Sequence, residues 1–417
     1  MTEYASTSSN SQAPLQGLRV LEVSLLGAAA VTTALADLGA DVIKVEPPGG
    51  DYGRVMTWPI VEGDSLLFLH CNRGKQSIVL DLKTGEGLEI FKELVAKSDV
   101  VVEAMRPGAL ERRGLGYETL RAINPQLVHI AMSGFGATGP YRDLPSHGIA
   151  FDAWAGIVEP SCDERGRCTI PPHVSIGINA APLYASLGVL AGIFAAQRTG
   201  VGTSIELAQA DAAAAFDWLR VETWRAYERP ESEVTGNASD NYQRRAPGTA
   251  GMSDGVRYQF YETTDGYILF MASEQEFWRN FCEGVGRADL FERWPGTTYA
   301  DHAIGNEELR TELIALFRSH STEYWAAFGA RHNTAIVPAN SSRSLPTDPH
   351  FTQRTSWLPS STHGADMLPL PLKFVGSELE TLGRAPFAGQ HSQEILRELL
   401  GRSEDDIAQL FATGVVE

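Results

Sequence analysis

Between Leu18 and Met132, short β-branched runs alternate with longer helix-forming stretches, and no other feature of the chain restricts its fold as much. Leu18–Val23 reads as a strand, the alanine-rich, breaker-free stretch Ala28–Leu38 as a helix ended by Gly39-Ala40, and Asp41–Val45 as the next strand. A β-α-β unit of this spacing requires parallel strands and a right-handed crossover. The pattern recurs. Ser77–Leu82 predicts a strand, Gly85–Lys97 a helix, Val100–Val102 a strand, Ala109–Leu115 and Tyr117–Asn124 helical turns, and Leu127–Met132 another strand. Alternation of this kind gives an α/β, Rossmann-like sheet with helices on both faces. No Gly-x-Gly-x-x-Gly follows the first strand, so a nicotinamide or flavin dinucleotide is not expected despite that wiring.

Further on, Pro182–Arg198 and Gln209–Tyr227 predict two long apolar helices, with a strand over Gly202–Leu207 between them. Residues 228–255 turn polar and read as a linker or loop. Two aromatic strands around Asp265-Gly266, Tyr258 to Phe270, predict a hairpin. Helices over Glu274–Gly284, Asn306–Ser319 and Thr322–Arg331 complete a smaller α+β region. From Leu345 the chain becomes Pro-rich and extended, ending in amphipathic helices over Ser392–Leu400 and Ser403–Ala412. At 417 residues, two domains are expected.

A formal net charge of −18 opposes binding to nucleic acid or to an anionic membrane surface. It leaves room for an anionic small ligand in a locally basic pocket. No uninterrupted apolar run reaches the roughly 18–20 residues a bilayer needs. Residues 1–14 are polar without a basic-then-apolar signal, so a cytoplasmic protein with a flexible tail is expected. Four cysteines make no disulfide framework. Cys71 and Cys282 sit among apolar residues and read as core. Cys162 and Cys168 flank a polar turn, compatible with a hairpin-closing disulfide or half of a metal site; no second pair at ligand spacing supports a metal.

The segments LQGLRVLEV…ADLGADVIKVEPPGGD, NRGKQSIVLDLKTGEG and VVEAMRPGALERRGLGYETLRAINPQLVHIAMSGFGATGPYRD occur in an order similar to that of the class III coenzyme A transferases. YASLGVLAGIFAAQRTGVGTSIELAQADAAAA, YETTDGYILFMASEQEFWRNFCEGVGR and RAPFAGQHSQEIL extend the resemblance over almost the whole chain. That family also includes carnitine-type and formyl-CoA transferases and α-methylacyl-CoA racemases. The resemblance implies two subunits interlocked as threaded rings, with active sites at interdomain and intersubunit clefts. It also implies a large Rossmann-like domain built from residues 16–227 and 345–417, a small α+β domain with its linker over 228–344, and a flexible tail over 1–15.

The same resemblance implies a coenzyme A thioester as substrate and no resident cofactor. Coenzyme A requires cationic donors for its phosphates and an apolar slot for adenine. The family positions serving it map onto Leu80, Lys83, Met105 and Arg112. Three departures weaken that pocket: Ala28-Ala29-Ala30 stands for Ala-Gly-Pro, Glu46-Pro47-Pro48-Gly49 for Glu-Arg-Pro-Gly, and Val102-Glu103-Ala104 for Val-Glu-Asn. The largest departure concerns catalysis. Transferases place an aspartate four residues before the glycine that opens Gly-Leu-Tyr-Ala. That carboxylate attacks the acyl-CoA thioester, forms a mixed anhydride, then an enzyme-bound CoA thioester that passes CoA to the acceptor acid. Counting back from Pro182 reaches Ile178, which is no nucleophile; a one-residue slip offers only Asn179.

Three readings follow. The first is a subunit of a heteromeric CoA-transferase, of the succinyl-CoA:(R)-benzylsuccinate type, whose homologous partner carries the aspartate. The second is a racemase or isomerase using His147, at the histidine position of the family's racemases, with Asp152 as the second proton-transfer group. The third is a non-catalytic acyl-CoA-binding protein, homodimeric in the same interlocked way. Trp154, Trp218 and Trp224, with Phe216 and Tyr227, are candidates to line a pocket for a bulky acid, though aromatics on apolar helices are more often core.

Overall fold

The computed structural model describes residues 13–236, 242–244, 254–297, 301–375, 379–380 and 382–417. Most of the expected N-terminal tail and much of the polar linker lie outside these residues. The chain divides into two units. One comprises the residues up to Trp218 together with Ser356–Glu417, and the other is Leu219–Thr355.

The larger unit is built on a six-stranded, all-parallel sheet. Its strands are β1 (Arg19–Val23), β2 (Asp41–Glu46), β3 (Gln76–Val79), β4 (Val100–Glu103), β5 (Val128–Ser133) and β6 (Thr203–Ala208), in spatial order β6-β5-β4-β1-β2-β3. Because both faces are covered, the central strands read as near-continuous apolar runs, and Val100, Val101 and Val102 are all fully buried. One face packs on α2 (Gly85–Ala96) and the C-terminal helix Glu404–Ala412 through Ile90, Phe91, Leu94, Ile407 and Leu410. The other face packs on α1 (Ala30–Asp37) and on the long helix Gly177–Thr199 through Val31, Leu35, Ala181, Ala185 and Val189.

That long helix begins five residues before Pro182, where the sequence suggested it would start. Proline is favoured in a first helical turn and disfavoured inside, so position alone pointed to the later start. Small residues on its buried side let it lie close to the sheet. A Cβ on Gly192 would come within 2.7 Å of Val128 Cγ1. By length and composition the helix is able to cross a bilayer, with mean hydropathy 1.6. The expectation that no segment would do so held only for uninterrupted apolar runs. Its other side leaves Leu183, Leu187 and Phe194 more than 60% exposed.

Two expected helices are altered. Ala109–Leu115 shrinks to a single 3-10 turn at Glu111–Arg113, squeezed between Pro107-Gly108 and Gly114, whose φ is +73°. The helix expected over Gln209–Tyr227 breaks at Asp217 into Gln209–Phe216 and Trp218–Tyr227, and the unit boundary follows the break. Cys162 and Cys168 form a disulfide across the small hairpin pairing Ser161–Cys162 with Cys168–Thr169.

The smaller unit holds the hairpin Tyr258–Glu262 and Tyr267–Met271, extended by Ile336–Pro338 into a three-stranded sheet. Asp265, in the hairpin turn, accepts from the Thr322 N–H at 2.8 Å and so ties the turn to the helix that follows. Helices packed on this sheet bury Trp278, Phe281, Phe317, Trp325 and Phe328 in one aromatic core.

Within the larger unit, a charged network lies wholly buried under the carboxyl ends of β1 and β2. Glu22 accepts from Ser24 Oγ at 2.5 Å, Lys44 Nζ at 3.1 Å and Lys75 Nζ at 2.8 Å, and also from Thr32 Oγ. Lys44 reaches Asp51 at 3.1 Å and the Ser24 carbonyl at 2.7 Å. Lys75 donates to the Ala29 carbonyl at 2.8 Å and to Asn72 Oδ1 at 3.2 Å. Burial pushes the Glu22 carboxyl up, but Lys44 and Lys75 outweigh it and hold it down at about 2. Burial wins for Lys75 and lowers it to about 8. Lys44 is buried too, yet Glu22, Asp51 and Glu46 hold it above its ordinary value.

Replacing Glu22 by Gln leaves two buried ammonium groups short of a counter-charge and should cost about 3–5 kcal/mol in chemical denaturation at pH 7. Because the folded-state value is depressed, the ionised carboxylate stabilises fully above its ordinary 4.5 and loses that contribution as pH falls toward about 2. The stability gap between wild type and Glu22→Gln should therefore narrow across that interval, and a gap independent of pH would contradict the assignment.

Candidate functional site

The chain runs from β1 outward through β2 and β3 on one side, and through β4, β5 and β6 on the other. The switch point therefore lies between β1 and β4, and open α/β sheets form their binding crevice outside the carboxyl ends of the strands there. Ala104 N–H donates to the Val23 carbonyl at 3.0 Å and brings the two departing segments together. On the β1 side, the 3-10 turn Leu26–Ala29 carries part of the Ala28-Ala29-Ala30 run; the Ala29 carbonyl is held by Lys75, Thr32 and Thr33. The buried network thus fixes one lip of the crevice.

On the β4 side, Met105 packs against the core cluster that contains Leu80, Leu110, Ile395 and Leu396. The sheet therefore brings Leu80 and Met105, 25 positions apart in sequence, onto one apolar cluster. Leu80 itself is buried and bridged to Val416. Lys83 and Arg112 are both exposed. Arg112 donates to the Pro107 carbonyl at 3.3 Å. A Cβ at Gly108 would lie 3.1 Å from Arg112 Nη1 and 3.5 Å from Arg142 Nη2, so two guanidinium groups converge over that glycine, with Glu111 Oε2 3.7 Å from the same point. Arg142 was not among the residues singled out from the sequence. Its signal was present in Pro140-Tyr141-Arg142, directly after a glycine-rich turn, but nothing local connects it to Arg112.

Ile178 lies in the first turn of the helix Gly177–Thr199, half-buried against a cluster of Phe151, Ala210 and Ala213 that also includes Phe135 and Ile157. No carboxylate shares that cluster. Asp152, offered by the sequence as a replacement acid, is fully buried. Its Oδ1 accepts from the backbone N–H groups of Ile176 and Gly177, each at 2.9 Å. It closes the exposed donors at the start of the long helix and places its charge at the positive end of the helix dipole. His147 is exposed, and its side chain makes no hydrogen bond among the described residues. The structure therefore gives Asp152 a capping task and does not pair it with His147.

Beside this cluster lies a cavity of about 390 Å³, lined by Phe135, Tyr141 and Trp154 together with Glu206 and Asp211 and the turn Gly136–Pro140. Of the aromatic residues singled out from the sequence, Trp154 lines it. Arg54, also passed over in the sequence, is engaged in structure: it pairs with Glu46 at 2.7 Å and Asp64 at 3.2 Å. Among the described residues no three His, Cys, Asp or Glu side chains gather as a metal site.

Residues 15–392 match the family described as CoA-transferase family III. The chain is 32% identical to the succinyl-CoA–D-citramalate CoA-transferase of Chloroflexus aurantiacus, over 97% of this chain and 98% of that one. It is 29% identical to the succinyl-CoA–L-malate CoA-transferase beta subunit of the same organism, over the same shares. Among solved structures, Rv3272 of Mycobacterium tuberculosis aligns with a TM-score of 0.75 at 26% identity, covering 92% of this chain and 99% of that one. A CAIB/BAIF family protein from Brucella suis aligns with 0.74 at 29% identity, covering 93% and 100%.

If Asp152 caps the helix, Asp152→Ala should lose about 1–3 kcal/mol of stability, and Asp152→Asn, which keeps an acceptor oxygen, distinctly less. Urea denaturation of the three proteins checks this. Equal stability of Asp152→Ala and wild type would remove the capping role.

Proposed function

The chain belongs to CoA-transferase family III, and on that premise we propose that it is the subunit without a nucleophile in a heteromeric enzyme, one that transfers CoA from an acyl-CoA such as succinyl-CoA to an organic acid. Ile178 carries this reading. An aliphatic side chain, packed in an apolar cluster, occupies the position at which the family resemblance puts the attacking carboxylate. A transferase that runs through an enzyme anhydride has no first step without that group. A homologous partner bearing the aspartate supplies it, while this chain completes the shared fold and shapes the acid pocket.

Two further observations support a partner chain. The long helix presents Leu183, Leu187 and Phe194 to solvent, an apolar stripe on its side away from the sheet. One relative, 29% identical, carries the name of a beta subunit. Coenzyme A is substrate in this reading. Arg112 and Arg142 over Gly108 supply charge-assisted donors to its phosphates, Lys83 adds a further cation, and Leu80 with Met105 offers the apolar side of the pocket. Proton transfer by His147 with Asp152 has less support, because both backbone donors on Asp152 Oδ1 commit that carboxylate to the helix start.

Co-purification with an aspartate-bearing homologue should produce succinyl-CoA-dependent transfer to an acid, and this chain alone should show none. Full transfer by the single chain would end the proposal. Arg112→Ala and Arg142→Ala should each weaken CoA binding about tenfold or more, as the loss of one charge-assisted contact implies. Isothermal titration with CoA measures this, and unchanged affinity in both variants would move the phosphate site elsewhere.

A further inference from the structure

We infer that the cavity between Phe135, Tyr141, Trp154, Glu206 and Asp211 is a binding site for an organic cation, an ammonium group carrying alkyl substituents. The inference rests on the larger unit alone and stands independently of the transferase reading.

Three features define the site. The first is its aromatic wall. Phe135 stands between two rings, with centroids 5.7 Å from Tyr141 and 6.0 Å from Trp154, at interplanar angles of 61° and 71°. Rings set steeply to one another present π faces and edges to a shared space, which is the geometry of an aromatic cage. Tyr141 and Trp154 leave about half their surface exposed, at 49% and 48%, so this wall is not consumed by core packing.

The second feature is charge. Both ionisable carboxylates of the lining are acids, and the lining holds no lysine, arginine or histidine. Glu206 is held in place because its Oε1 accepts from the Ala137 N–H, and Gly136, at φ +88°, lets the turn close over that oxygen; a Cβ there would lie 2.9 Å from it. Asp211 makes no hydrogen bond or ion pair among the described residues and lines the cavity unpaired. Two negative charges beside aromatic faces repel an anionic acid and attract a cation, whose alkyl groups the rings desolvate favourably.

The third feature is size. About 390 Å³ is at the small end of ligand pockets and suits a compact head group rather than a nucleotide. The ring wall and the cluster around Ile178 share Phe135, so an occupant would sit next to the position where the family resemblance puts its nucleophile.

Choline and tetramethylammonium are the probes, followed by isothermal titration and by quenching of Trp154 fluorescence. The neutral isostere 3,3-dimethylbutanol and the anion 3,3-dimethylbutyrate serve as comparisons. Saturable choline binding is expected, about tenfold tighter than that of the neutral isostere, with no binding of the anion. Asp211→Asn, whose side chain holds no other part of the fold, should weaken choline about fivefold with an unchanged melting temperature, and Trp154→Leu should abolish the quench. Equal affinity for choline and its neutral isostere, binding of the anion, or an unaffected Asp211→Asn variant would each overturn the assignment.

Discussion

A single buried carboxylate, Glu22, organises the end of the sheet on which the candidate site is built. It lies on β1, the strand at the switch point, and its two oxygens are shared among Lys44 on β2, Lys75 just before β3, Ser24 and Thr32. Two ammonium groups and one carboxylate out of contact with water are tolerable only when every partner is in place. The arrangement therefore couples three strands and the turn after β1 into one unit. Lys75 also grips the Ala29 carbonyl, so the lip of the crevice is set by the same charges that join the strands. Nothing in the segment Leu26–Ala30 would hold that turn by itself, since alanine offers no side-chain hydrogen bond.

A second electrostatic device sets the opposite side of the candidate site. Asp152 caps the helix Gly177–Thr199 across 24 and 25 residues of sequence, which fixes where the first turn begins and with it the place of Ile178. The same interaction explains why Asp152 is unavailable as a replacement acid: a fully buried carboxylate bonded to two backbone donors is held away from solvent and substrate alike. Loss of the family's carboxylate at 178 is thus not compensated by the nearest acidic residue in the motif. The cluster around Ile178 is instead apolar, continuous with the ring wall of a cavity whose charge is negative.

The crevice between β1 and β4 is moderately basic and the cavity near Ile178 is acidic. Arg112 and Arg142 close over Gly108 at the first, while Glu206 and Asp211 line the second. A chain with a net charge of −18 therefore offers cationic donors only locally, at the crevice where an anionic nucleotide would be received.

Much of this architecture was legible in the sequence. The β-branched runs from Arg19 to Ser133 are buried on both faces, and a strand that faces no water has an unmistakable composition. The Asp265-Gly266 hairpin was equally clear, as was the exchange of a carboxylate for Ile178, because each is local. Tertiary structure decided the rest. Pro182 sits inside a helix because Asp152, far away in sequence, caps an earlier start. The Gln209–Tyr227 pattern, continuous by composition, breaks at Asp217, where the two units divide. Arg142 joins Arg112, and Lys75 joins Glu22, only once parallel strands stack distant segments side by side. The sequence by itself determined which residues had to be buried and which catalytic group is absent. Which charges meet was decided by the sheet, because the energy of a charge depends on its neighbours in space and on its access to water.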